Sequence, residues 1–291
     1  MKGFWLMRTG TEGILSLAAS PDGRRVAWGE RSGKVRWFPL EGIPTPEIRD
    51  YADGWVRVIA RSPNGAFIAA GSETGEILLW DRPTGTRKPL RWTGHRGPVH
   101  ALAFSDCLLA SVGEDEWVRL WRLPRGNPLR RLRGGPGTLR SLAFSPADDL
   151  LAAGGDDRRI RIWRVPEGRP LSLLEGHEER IHALAFSPDG RLLASGDKAG
   201  ELRRWSTQEA EPPVLTPPRK AEVKALAFSG DGRELWAGWE DSEIHIFRMP
   251  GGELQDRYEG RLKGWAALAL IPAKRQWVAA HGPGALEFGK V

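Results

Sequence analysis

Cysteine is almost absent from this sequence: Cys107 is the single one among 291 residues. One thiol can close no intrachain disulfide and build no cysteine metal cluster. Long apolar runs are missing as well. No stretch reaches the roughly 18 consecutive apolar residues of a membrane helix. The N-terminal run Phe4-Trp5-Leu6-Met7 is shorter than the about 7–15 apolar residues of a secretory signal. These absences lead us to expect a cytoplasmic protein with no membrane partner. No segment sustains a helical period. There is no phosphate-cradling glycine loop with Lys-Ser/Thr and no His-Glu-x-x-His, and the six histidines are scattered. Gly134-Gly135-Pro136-Gly137 has no helix after it and reads as a connecting loop. The carboxylate pairs Asp148-Asp149, Asp156-Asp157 and Glu240-Asp241 fall in turns. Nothing here argues for an enzyme, a metal or a cofactor.

What is present is an ordinary globular composition, 40% hydrophobic and 27% charged, with a basic balance. The formal charge is +6, the sequence pI is near 9.8, and 34 of the 43 basic residues are arginine. Such a balance fits an anionic partner, nucleic acid included. An arginine-rich proteome gives the same count, and the 37 acidic residues are interspersed with the basic ones.

The strongest signal is a repeat. Trp37, Trp80, Trp121, Trp163, Trp205, Phe247 and Phe288 follow one another at gaps of 43, 41, 42, 42, 42 and 41 residues. Ser20-Pro21, Ser62-Pro63, Ser105-Asp106, Ser145-Pro146, Ser187-Pro188, Ser229-Gly230 and Ile271-Pro272 recur at nearly the same interval. Each period reads as four short strands: an apolar run such as Val99–Phe104, a Ser-Pro-Asp-Gly turn, a second run such as Leu192–Gly196, then a third and a fourth. Four strands in about 42 residues, seven times over, predict an all-β, seven-bladed β-propeller of four-stranded antiparallel blades, one domain over residues 1–291. A lone blade cannot bury both faces, so the ring must close. Only Gly289-Lys290-Val291 follow the last third strand. Residues 4–8 stand where a fourth strand belongs, so the N-terminal strand is expected to complete the last blade.

The repeat resembles the WD-repeat family over essentially the whole chain. Gly94-His95 and Gly176-His177 match its Gly-His pair, and Trp80-Asp81 is the literal Trp-Asp. A turn Asp lies six residues before the aromatic at Asp115, Asp157 and Asp241. The resemblance implies a hydrogen-bonded tetrad across each blade, complete only in the third: His95, Ser111, Asp115 and Trp121. The fourth blade has Ala153 at the serine position. The fifth keeps His177, Ser195 and Trp205 but has Ala199 in place of the Asp. The repeat makes Ser111, His95 and Asp115 blade-internal ties rather than a catalytic triad.

The resemblance further implies a top face that binds partners around the central channel. In the repeat register its inner position is Leu15, Arg57, His100, Arg140, His182, Lys224 and Ala266. Two residues earlier stand Gly13, Trp55, Pro98, Thr138, Arg180, Glu222 and Gly264. The turn position is Glu30, Glu73, Glu114, Asp156, Lys198, Glu240 and His281. A basic ring inside an acidic collar suits a protein or peptide whose acidic side chain or phosphate enters the mouth; alternatively, the cations pair with the acidic turns. A second basic feature is Arg119, Arg161 and Arg203 at equivalent third-strand positions, with Arg130, Arg131 and Arg133 nearby. These form either a phosphate-contacting belt or a solvated strand face. The expected function is a non-enzymatic scaffold that binds a protein or peptide partner on its top face as a subunit of a multiprotein assembly; the alternative is a basic nucleic-acid-binding propeller within a ribonucleoprotein or DNA-associated complex.

Overall fold

The computed structural model describes residues 4–9, 13–20, 22–39, 47–81, 88–146, 149–206, 214–216, 219–281 and 284–290. Pro21 of the first Ser-Pro marker and Asp148 of the first carboxylate pair lie outside them. The chain folds as seven four-stranded antiparallel sheets, the blades of one propeller. Blades 1 to 6 occupy residues 14–51, 56–93, 99–133, 139–174, 181–216 and 223–259 in strict chain order. Blade 7 takes three strands from residues 265–290 and its fourth from Phe4–Arg8. The innermost strands touch their neighbours all round, blade 7 against blade 1 included, so the ring is closed. One short 3-10 turn, Pro272–Lys274, stands at the divergent Ile271-Pro272 marker, and no helix among the described residues is long and apolar enough to cross a membrane.

Burial explains why the strands read as they do. Second strands such as Phe67–Ser72 and Leu108–Gly113 are buried throughout, between two neighbouring blades, so they are continuous runs of apolar and small residues. Outer strands such as Glu253–Glu259 are largely exposed and correspondingly polar, whereas Arg169–Leu174 is exposed yet carries Leu171 and Leu173 in the open. The turns after the innermost strands of blades 1 to 6 share one chemistry, a serine Oγ accepting the N–H that opens the second strand. Ser187 Oγ accepts the Leu192 N–H (2.9 Å) and donates to Asp189 (2.5 Å), and the Gly190 N–H returns to the Ser187 carbonyl (2.9 Å). Gly190 sits at φ +69°, which glycine adopts without steric cost. The core is seven apolar clusters between blades; Trp37 and Trp80, for example, meet edge-on at 6.1 Å between blades 1 and 2.

The N-terminal latch is present. Phe4–Arg8 runs antiparallel to Ala285–Lys290, from Phe4↔Gly289 to Arg8↔Ala285. Thr9 extends it, donating its N–H (2.9 Å) and its Oγ1 (2.7 Å) to the Gly284 carbonyl.

Strand pairing corrects the aromatic markers at both ends. Trp80 pairs with Ile68, Trp121 with Leu109 and Trp163 with Leu151; the matching residue of blade 1 is Phe38, opposite Val26, and not Trp37. In blade 7 it is Gly289, opposite Trp277, and not Phe288. The first gap of 43 and the last of 41 both become 42. The aromatic has crossed to the partner strand in blade 7: a Cβ on Gly289 would stand 2.1 Å from the Trp277 ring. Trp277 itself is 1% exposed.

Candidate partner interface at the channel mouth

The tetrads show how a blade holds its top turn. In blade 3, His95 Nδ1 meets Asp115 (2.8 Å), His95 Nε2 meets Ser111 Oγ (2.8 Å), and Trp121 Nε1 donates to the same hydroxyl (2.9 Å). Burial opposes ionisation of Asp115, but hydrogen bonds from His95 and Arg119 prevail and hold it well below the usual carboxylate range. Burial pushes His95 below its ordinary value, against the pull of Asp115. Blade 5 carries an equally complete tetrad, contrary to the sequence expectation. His177 Nδ1 meets Asp197 (3.0 Å), Nε2 meets Ser195 (2.6 Å), and Trp205 Nε1 donates to Ser195 (2.7 Å). The acid comes from Asp197, two positions before Ala199, at the end of the second strand. Glu201 completes a buried group of metal-ligating type with His177 and Asp197. Its members are already engaged: Asp197 Oδ1 accepts the Glu201 N–H (2.9 Å) and Glu201 pairs with Arg203 (2.8 Å).

Every innermost strand carries a bulge at the same place, its pairing skipping one residue near the top. The skipped residues are Leu15, Arg57, His100, Arg140, His182, Lys224 and Ala266, the inner positions read from the sequence. A bulge leaves its extra residue out of the ladder and re-aims its side chain, so each blade brings one side chain to the rim of the innermost ring. The collar is tied to it by a repeated backbone bond, in which the N–H of Glu73, Glu114, Asp156, Lys198 and Glu240 reaches the carbonyl of Trp55, Pro98, Thr138, Arg180 and Glu222.

The same bond in blade 1 is made by Arg31, to Gly13. The blade 1 collar residue is therefore Arg31. Glu30 points inside its blade, 2% exposed, where it accepts from Trp28 Nε1 (3.1 Å) and Arg36 Nε (2.6 Å). His281, also placed on the collar by sequence, is 4% exposed and faces Glu287 at 3.3 Å. Both errors are the one-residue shift of the end blades. They hid Arg31, the cation that the offset from Phe38 instead of Trp37 locates.

Most cations of the mouth are answered by acids. Arg140 makes a bidentate pair with Asp156 (2.5 and 3.1 Å). His182 (2.9 Å) and Lys224 (2.8 Å) share Glu222, and Glu240 stands 3.7 Å from Lys224. Burial disfavours charge on Glu222, yet these two partners bring its pKa down to about 2. His100 Nε2 lies 3.4 Å from Glu114; burial and the nearby Arg140 push His100 below its ordinary value. Arg57 and Arg180 differ. Each has a buried Nε with no hydrogen-bond partner among the described residues. Trp55 is 38% exposed, with the guanidinium carbons of Arg31 and Arg57 at 5.2 and 5.6 Å from its ring centroid.

The third-strand arginines are not an open belt. Arg119, Arg161 and Arg203 are 13%, 16% and 15% exposed, held by Asp115 (2.8 Å), Asp157 (2.6 Å) and Glu201 (2.8 Å). Each pairs with an acid at the top turn of its own blade. The exposed arginines lie further out: Arg122, Arg125, Arg130, Arg131 and Arg133 on the third and fourth strands of blade 3 and their connection. They belong to a stretch, residues 117–147, that contains no Asp or Glu.

A closed ring of seven four-stranded blades, with His-Ser-Asp-Trp tetrads in blades 3 and 5, defines a repeat propeller. The family described as "WD domain, G-beta repeat" matches residues 45–81, 87–122, 126–164 and 168–206, and the chain belongs to it. Its propellers are generally interaction scaffolds and not enzymes. Among relatives, "Protein ROOT INITIATION DEFECTIVE 3" of Arabidopsis thaliana is 30% identical over 42% of this chain and 31% of its own length. "Protein HIR1" of Yarrowia lipolytica is 26% identical over 46% of this chain and 17% of its own. "Meiotic recombination protein rec14" of Schizosaccharomyces pombe is 30% identical over 38% and 37%. The matched segment is thus between a sixth and two fifths of these relatives' lengths.

Proposed function

We propose that the chain is an interaction scaffold whose top face takes a protein or peptide segment bearing an acidic side chain or a phosphate. The observation that carries this reading is the sevenfold bulge, which brings Arg57, His100, Arg140, His182 and Lys224 from five consecutive blades to one rim. Side chains on the rim of a closed ring of strands are positioned with little freedom left to lose, so charge-assisted contacts there are made at low entropic cost. Reversing Arg57 and Arg140 to Glu tests it. Affinity capture at native expression level should yield a protein partner with the wild type and lose it with the double variant, while circular dichroism and melting temperature show the fold intact. Capture that survives the reversal moves the interface to the side or bottom of the ring.

A second reading, contact with nucleic acid, is favoured by the acid-free stretch and its five exposed arginines on blade 3. Nuclease treatment before capture separates the two, since a protein partner stays bound and a nucleic-acid-bridged one does not.

A further inference from the structure

The channel mouth is uneven, and its unevenness points to one sector. Around blades 4 to 6, Arg140, His182 and Lys224 are neutralised by Asp156, Glu222 and Glu240, while Arg180 keeps an Nε unpartnered among the described residues. Between blades 1 and 2 the cations are not neutralised. Arg31 stands where four of the other collars carry an acid, and neither it nor Arg57 has a carboxylate within 4.0 Å among the described residues. Both guanidiniums lie over the ring of Trp55, a residue 38% exposed, and the Arg57 Nε is buried with its N–H unused among the described residues.

The sector is also built in advance. The loop carrying Trp55 is pinned to the turn of its own blade: the Trp55 N–H donates to Glu73 Oε1 (3.1 Å), the Asp53 N–H to Glu76 (2.8 Å), and Thr74 Oγ1 to the Asp53 carbonyl (3.0 Å). Gly54, at φ +76°, lets Glu73 come close, since a Cβ there would be 2.7 Å from its Oε1. The Arg31 stem lies against Gly13, at φ +72°, where a Cβ would stand 2.8 Å from Arg31 Cδ. Any side chain at Gly13 would displace Arg31.

We propose that Arg31, Trp55 and Arg57 form an anion pocket that receives a partner's phosphate or carboxylate group carried beside an aromatic ring or other apolar group. The proposal rests on the top-face reading above and narrows it to one sector and one chemistry. Two guanidiniums offer forked donors to a planar or tetrahedral oxyanion. The Trp55 ring offers an apolar face for the group that carries the anion. The unpartnered Arg57 Nε sets this sector apart from Arg140, whose fork is already filled by Asp156. Arg180 shares the unpartnered Nε but has no aromatic ring stacked beside it among the described residues.

The test is a titration of the full chain, followed by the Arg57 Nε–H and Trp55 indole resonances, with phenyl phosphate, phenylacetate, inorganic phosphate and acetate as probes. We expect saturable shifts at both residues, reached at lower concentration with the two aromatic probes than with the bare ions. Preference for phenyl phosphate assigns the pocket to a phosphate, and preference for phenylacetate to a carboxylate. Arg57→Gln should weaken the better probe about tenfold or more, as for loss of a charge-assisted hydrogen bond. Trp55→Ala should erase the advantage of the aromatic probes. Arg31→Gln alters an exposed side chain and keeps the test decisive if Arg57→Gln does not fold. Shifts that saturate at Arg140 and Lys224 with Arg57 unmoved would overturn the pocket but leave the top-face reading standing. Absence of any saturable shift at Arg57 and Trp55 would also overturn it, and the top-face reading would then be decided by the charge-reversal capture alone.

Discussion

Asp197 does in blade 5 what Asp115 does in blade 3, from a different place in the chain. Asp115 sits in the turn, six residues before Trp121, whereas Asp197 ends the second strand, eight before Trp205. What the histidine needs is a carboxylate oxygen at hydrogen-bond distance from Nδ1, and both positions deliver one, at 2.8 and 3.0 Å. An offset counted in residues therefore misses what a distance finds. Asp197 is 1% exposed, so its loss leaves buried donors without an acceptor. Asp197→Asn should cost about 1–3 kcal/mol in urea unfolding, while Ala199→Gly at the position first suspected should cost less than Asp197→Asn. Equal stability of Asp197→Asn and wild type would show that the tetrad of blade 5 carries no weight. At this scale the sequence was legible where residue type and spacing coincide, as in blade 3. It was not legible where a different position reaches the same atom.

Strands were the easiest elements to read, because each strand's burial leaves its own pattern. The serine-led turns, Ser-Pro-Asp-Gly or a variant of it, marked six blades, and second strands buried throughout or in all but their first residue marked all seven. The end blades were misread by one residue for a physical reason: blade 1 offers two adjacent aromatics, Trp37 and Phe38, both buried, and blade 7 fills the aromatic's space from across the sheet with Trp277. A marker chosen by residue type then slips, although the strand register does not. The latch is the element with the clearest consequence. Phe4–Arg8 pairs along its whole length with Ala285–Lys290 and so joins the two ends of the chain in one blade. Without it, blade 7 would expose an unpaired strand edge and the ring would be held only by blade-to-blade packing. Removing residues 1–9 should lower the melting temperature by about 5 °C or more, as for a loss of a few kcal/mol in a chain of this size. An unchanged melting temperature would mean that the ring closes without the latch.

At the scale of the whole molecule, the sequence told which residues gather at the channel mouth, because the repeat alone fixes equivalent positions. It did not tell which of them are already paired. That depends on loop conformation, as when Glu222 reaches both His182 and Lys224. The net charge shows the same limit. A formal +6 spread over 291 residues says little, but the ring collects five exposed arginines from residues 122–133 on blade 3, away from the mouth. A cluster of exposed cations with no acid in its own stretch of chain should release counterions from any polyanion it meets, and it gives the nucleic-acid reading its quantitative test. If all five contact phosphates of poly(U), the logarithm of affinity should fall with the logarithm of salt at a slope of about −3.5. Replacing Arg122, Arg125, Arg130, Arg131 and Arg133 by Gln should flatten that slope while leaving phenyl phosphate titration at Arg57 unchanged. A slope near zero in the wild type would sink nucleic-acid contact and leave the blade 3 arginines as a solvated edge that keeps the outer strand from pairing with another chain.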